Sequence, residues 1–219
     1  MTELTAADGH VLGAYENHPA DALAGIVVIQ EIFGVNAHIR SVVDVWADRG
    51  YHTIAPAVFD RIEPGIELGY DPDGIARGRQ LKSELAWDDV IADVAAAVRR
   101  VAESGPVGII GFCMGGSVAW LAASSLPVAA AVGYYGAEIP AWVDHTPTVP
   151  VMLHFGSQDA AIPLSGVAEV TVAHPEVAVH AYEGAGHGFA CDACGSFHAP
   201  SAAVADERTA GFFARHLTS

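Results

Sequence analysis

The feature that most constrains this chain is a rhythm of short, almost wholly apolar runs separated by helical stripes. The runs at 26–30, 52–57, 107–111, 130–135, 151–155 and 177–182 carry Val, Ile, Leu and Ala with little apolar–polar alternation. Runs of that kind are strands covered on both faces, which implies a mostly parallel sheet between layers of helix. The stretches between them show the helical period instead. Asn36 caps a stripe of Ile39, Val42, Val43 and Trp46 that Gly50 ends, and Ile91, Val94, Val98 and Val101 form a second within 87–103. A helix dense in small residues follows Cys113 as far as Ser125, and a last one runs from near Ser201 to near Leu217. A hairpin turning at Asp8-Gly9 precedes the first buried strand. The expected class is α/β, in a single domain over 1–219, because 219 residues make one sizeable core and are short for two.

One stretch breaks the rhythm. Residues 59–84 hold Pro64, Pro72 and several glycines, with Arg61, Arg77 and Arg79 interspersed. The expectation is a long connection at the strand ends, where such loops shape binding sites.

The formal net charge of −16 repels phosphate backbones, so nucleic acid is excluded as a partner. No apolar run is long enough to cross a bilayer, and Met1-Thr2-Glu3-Leu4 lacks the basic start and apolar stretch of a signal peptide. The expected location is the cytoplasm, with no membrane partner. The chain has three cysteines, Cys113, Cys191 and Cys194. An odd count without a secretion signal argues against a disulfide framework. Cys191-Asp192-Ala193-Cys194 has the spacing of a zinc or redox half-site, but no second CxxC or HxxxH accompanies it. Both are therefore expected to be ordinary thiols, and no metal or cofactor is expected.

The strongest local signal is Gly111-Phe112-Cys113-Met114-Gly115, set between a strand and a helix. This is the nucleophile-elbow pattern with Cys in place of Ser. Side chains at Gly111 and Gly115 would collide with neighbouring backbone, and the turn sets the sulfur at a helix N-terminus, which favours thiolate. The Met114 N–H is then free for a developing oxyanion. An elbow requires an acid and a His later in the chain. Asp159 follows the apolar run at 151–155, and His187 lies in the Gly-rich loop after the last strand. The chain has eleven His residues, so position in the fold order, not residue type, singles out His187. Glu31, at the end of the first buried strand, is a solvated terminus or a carboxylate facing a site.

The motifs at 30–36, 111–116, 133–136 and 184–189, in that order, resemble the dienelactone hydrolase family (carboxymethylenebutenolidases) of the α/β-hydrolase superfamily. The likeness runs from about Ile26 to the helix holding Arg208. It implies the α/β-hydrolase fold and a triad of Cys113, Asp159 and His187 that forms an acyl-enzyme. Glu31 would interact with the resting thiol and help deprotonate it. The N–H groups of Ile32 and Met114 would form the oxyanion hole, and Tyr135 would line the pocket. The substrate would be a small lactone or ester, in the breakdown of aromatic compounds, with the chain more often monomeric.

One departure bears on substrate. The family's best-known members bind the substrate carboxylate with two Arg residues, one four positions after the catalytic His; here Cys191 stands there. The other would fall near Arg77 or Arg79. Three readings result: a dienelactone-type hydrolase, an esterase or thioesterase for neutral substrates, and a non-catalytic or redox-sensing protein of the same fold.

Overall fold

The computed structural model describes residues 2–217. The chain enters through an antiparallel hairpin, β1 (Thr2–Thr5) and β2 (Val11–Asn17), with Gly9 at positive φ in its turn. Strands β3 (Gly25–Ile29), β4 (His52–Pro56), β5 (Val107–Phe112), β6 (Ala130–Tyr134), β7 (Val151–Gly156) and β8 (Ala178–Tyr182) follow. They form an eight-stranded sheet in the order β1-β2-β4-β3-β5-β6-β7-β8, parallel from β4 onward.

The helices are α1 (Ala37–Asp48), α2 (Pro72–Glu84), α3 (Trp87–Val101), α4 (Met114–Ser125), α5 (Leu164–Ala173) and α6 (Ala199–His216). Asn36 caps α1 by accepting from the Ile39 N–H at 3.2 Å, as its position implies. Helices α1 and α6 meet where Trp46 stands edge-on to Phe213, and α3 packs beside α4 and against β3 and β4. The sheet is thus enclosed between helical layers, with Trp120, Phe59, Phe155 and Phe189 fully buried. The α/β-hydrolase expectation holds.

Three expectations need correction. Residues 72–84 are helix α2, not loop: Asp71 caps it by accepting from the Gly74 N–H at 2.8 Å, and Pro72 occupies its first turn. Helix α5 falls in a stretch for which the sequence raised no expectation; it carries no side-chain cap, and only Val167 and Val170 of its residues are buried. Strand β8 is an edge strand and half-buried rather than covered on both faces. The cysteine expectation also fails, since Cys191 and Cys194 are joined by a disulfide, leaving Cys113 free. Their separation of three residues brings the Cα atoms to 5.3 Å, within bridging range.

Register sets where chemistry can gather. Ile29 pairs with Gly111, Gly111 with Gly133, and Gly133 with Leu153. The strands therefore end together, and Glu31, Cys113, Tyr135, Asp159 and His187 all leave from the same carboxyl rim, where open α/β sheets bind ligands.

Candidate active site

The elbow is built by backbone proximity. A Cβ at Gly111 would lie 1.9 Å from the Gly115 carbonyl oxygen, and one at Gly115 would lie 2.3 Å from that of Ile29. Only glycine lets β5, α4 and β3 come this close. Cys113 takes φ 52° and ψ −115°, outside the basins a non-glycine residue favours, and its N–H is held by the Tyr134 carbonyl at 2.9 Å. Strain of this kind persists only where surrounding structure imposes it, as at functional turns. As the first residue of α4, Met114 has an N–H with no intrahelical acceptor. The Ile32 N–H also makes no hydrogen bond among the described residues.

His187 Nε2 stands 3.1 Å from the Cys113 sulfur, and His187 Nδ1 stands 2.7 Å from Asp159 Oδ2. A carboxylate only accepts, so Nδ1 carries a proton and donates to Asp159. Asp159 is buried, and its other oxygen accepts from the Ala161 N–H at 2.8 Å. Burial opposes charge on His187, but the bonds to Asp159 and Cys113 outweigh it and push the imidazole up to about 10. The three residues thus meet with bond lengths suited to proton transfer.

Glu31 lies beyond the end of β3 and is 3% exposed. It accepts from the Tyr70 hydroxyl at 3.2 Å, and among the described residues no hydrogen bond joins it to Cys113. Burial pushes its carboxyl up, against the pull of His38, Tyr70 and His187. Tyr135, at φ 40°, packs its ring 5.1 Å from that of His187. Its hydroxyl is buried without a partner, and burial with the nearby charges of Glu31 and Cys113 drives it well above the ordinary phenol range.

The two candidate anion-binding arginines are not drawn into this group. Arg77 is ion-paired with Glu63, and Arg79 is exposed on α2. Position 191 holds a buried half-cystine. Three neighbours were not singled out from sequence: Tyr70, His38 and Asp192. His38 Nδ1 lies 3.0 Å from Asp192 Oδ1. Nothing in the local sequence separates His38 from the other histidines. Tyr70 lies in the segment expected to shape the site, but its bond to Glu31 spans 39 residues.

The dienelactone hydrolase family model matches residues 12–217. The chain is 39% identical over 220 residues to a carboxymethylenebutenolidase of Pseudomonas putida, covering 94% of this chain and 92% of that protein. It is 31% identical over 209 residues to a carboxymethylenebutenolidase of Rhodococcus opacus, covering 88% of this chain and 81% of the other. A solved dienelactone hydrolase-like promiscuous phosphotriesterase from metagenomic libraries shares the fold at TM-score 0.80 and 18% identity, covering 99% of this chain and 98% of that one. The chain therefore belongs to the dienelactone hydrolase family, and its activity class is carboxylic-ester hydrolysis.

Proposed function

We propose that the protein cleaves a lactone or small carboxylic ester through a Cys113–His187–Asp159 triad and an acyl-enzyme. The observation that carries this reading is the unbroken line from Asp159 through His187 to the Cys113 sulfur, at 2.7 and 3.1 Å. In acylation the thiolate adds to the carbonyl carbon, and the N–H groups of Ile32 and Met114 receive the oxyanion. The tetrahedral adduct then expels the alkoxide, which takes the His187 proton. Once the sulfur is acylated its negative charge is gone, and the two contributions from Cys113 that hold His187 high disappear with it. His187 is then a competent base for the water that releases the acid. Glu31 is the carboxylate that draws the proton from a resting thiol when substrate enters, and Tyr135 lines the acyl pocket.

A second reading, neutral esters or thioesters, is favoured by a specific observation. Arg77 is committed to Glu63, Cys191 is bridged to Cys194, and the nearby carboxylates are Glu31 and Asp192. Among the described residues, neither Arg77 nor position 191 is left to offer a guanidinium to an anionic substrate. Rates on dienelactone and on an uncharged ester of similar size separate the two; a strong preference for the anion would reject the neutral reading. Mass spectrometry of enzyme quenched during turnover tests the shared mechanism, which expects the acyl group on Cys113. A quenched enzyme bearing acyl on another residue, or none during rapid turnover, rejects it.

No helix among the described residues is long and apolar enough to cross a membrane. Cytoplasmic placement and action on aromatic breakdown products belong to the proposal. The Cys191–Cys194 bridge bears on the former, since reducing compartments keep such pairs as thiols.

A further inference from the structure

The zinc half-site that the sequence offers at Cys191 lacks a second ligand pair in the sequence but not in the fold. A carboxylate oxygen of Glu31, a ring nitrogen of His38 and the sulfur of Cys191 lie within 4.8 Å of one another, and all three residues are buried. His38 already has the polarity of a metal ligand. Its Nδ1 faces a carboxylate of Asp192, which only accepts, so Nδ1 holds the proton and Nε2 presents a lone pair. That Nε2 is buried and has no hydrogen-bond partner. A carboxylate behind a His is the arrangement that orients imidazole toward a metal. His38 and Asp192 also line a cavity of about 360 Å³ between α1 and α6, so the outer side of the His38 pair is open, although Glu31 and Cys191 lie behind its wall.

We propose that Glu31, His38 and Cys191 form a site for a borderline-soft divalent cation such as Zn²⁺, and that the Cys191–Cys194 disulfide keeps it closed. The donor set of carboxylate, imidazole and thiolate is one that zinc accepts, with a fourth position left open. Ionised Glu31 and Cys191 would balance the ion's charge, so no net charge is buried. Opening is a two-electron reduction by a dithiol. Its thiolate attacks the sulfur of Cys194, which is the half-exposed partner, and Cys191 leaves as thiolate. The second thiol of the reductant then closes its own disulfide and releases Cys194 as a thiol. Metal binding displaces any proton on Cys191 or Glu31 to solvent. Because Glu31 also stands in the proposed hydrolytic mechanism, occupancy would slow hydrolysis; that consequence alone rests on the triad reading.

The test uses Co²⁺ as a spectroscopic stand-in on the full chain carrying Cys113→Ala, which removes the other thiol–imidazole pair. Reduced protein, freed of reductant without oxygen, is expected to bind about one equivalent with a thiolate-to-cobalt charge-transfer band and displacement by Zn²⁺. Adding Cys194→Ser should give the same band with no reduction, because Cys191 can no longer be bridged. Adding Cys191→Ser or His38→Ala should remove stoichiometric binding. Asp192→Asn, at an exposed position, should weaken it about 10–100-fold and keeps the test readable if His38→Ala does not fold. Absence of the band in both the reduced protein and the Cys194→Ser variant overturns the site. So does its survival in the Cys191→Ser variant, or an unchanged affinity in both the His38→Ala and the Asp192→Asn variants. Ester hydrolysis plays no part in this readout, so failure of the triad reading would be seen separately.

Discussion

Two carboxylates are buried in this protein and handled in opposite ways. Asp93, on α3, is fully buried and held by a two-pronged guanidinium: Arg61 donates from Nε at 2.9 Å and from Nη2 at 2.8 Å. Burial raises the Asp93 carboxyl and outweighs the fork that lowers it. Burial lowers Arg61, and its bonds to Asp93 and Asp8 more than offset that; the two-bond geometry is that of an ion pair. Arg61 also reaches Asp8 in the β1–β2 turn at 2.8 Å, tying the hairpin to α3. Glu31 is nearly as buried but takes one hydrogen bond of normal length, from the Tyr70 phenol, with a weaker pull from Tyr135 and no cation bonded to it. Around it lie the unpartnered Tyr135 hydroxyl and His38 Nε2. In the frame, both oxygens of Asp93 are paired, although His10 Nε2 nearby is buried without a partner. Where acyl chemistry is proposed, donors and acceptors are left short. Buried groups without partners cost stability, so their clustering at the carboxyl rim marks that rim as the place where stability gives way to reactivity.

The comparison makes the rim separable from the frame, and the largest expected effect tests that directly. Cys113→Ala should lower kcat on a chromogenic ester by about four orders of magnitude or more, the scale seen when a nucleophile is removed. Its melting temperature should change little, because Ala keeps the Cβ at this positive-φ position and removes only a partly exposed sulfur. A variant that keeps more than a tenth of the wild-type rate would remove Cys113 from the mechanism. Asp159→Asn comes next, with a loss of about 10³–10⁴ in kcat, because an amide no longer fixes the His187 tautomer. A loss confined to KM would show that Asp159 does not orient His187.

Asp93→Ala is the mirror experiment. It removes the two-bond partner of Arg61, which keeps its bond to Asp8, and should destabilise the fold by about 1–3 kcal/mol in urea titration, with kcat of the folded enzyme unchanged. If turnover fell as much as stability, the frame and the rim would be one cooperative unit and the contrast would fail.

How far these regions were legible in the sequence follows the same division. The elbow was readable because Gly111 and Gly115 encode a backbone approach that any other residue would block. Asp159 and His187 were readable because they follow strand ends in the order an elbow requires. Helix α2 was missed because Gly74 and Gly78 weaken its propensity. Both glycines are nonetheless required: a Cβ at either would lie 2.1 Å from a carbonyl oxygen, of Gly69 and of Ile32 respectively. Its start signal, Asp71-Pro72, was present and undervalued. The surroundings of Glu31 could not be read, because His38 meets Asp192 across 154 residues and only tertiary packing creates that contact. The disulfide was missed on grounds of compartment, not of spacing. Whether that pair is bridged depends on surroundings that a sequence does not state.

The smallest expected effect is also the sharpest, because it moves stability and activity in opposite directions. Glu31→Gln keeps the shape and the oxygen that accepts from Tyr70, while removing a charge that burial disfavours. Glu31 is raised above its unfolded value, so its contribution to stability is fully present below the ordinary Glu value near 4.3 and is lost as pH rises through the folded value. Gln does not titrate. The melting-temperature advantage of the variant should therefore be absent in acid, grow as pH rises, and level off once wild-type Glu31 is ionised. At neutral pH it should amount to a few degrees, at about 2–4 °C per kcal/mol for a chain of this size. Turnover should fall by about a hundredfold, at the low end of what a proton acceptor contributes. A pH-independent difference in melting temperature, or a variant less stable than wild type at neutral pH, would mean that Glu31 is as well paired as Asp93. The rim would then be ordinary structure, and the proposed gating of Cys113 would lose its physical basis.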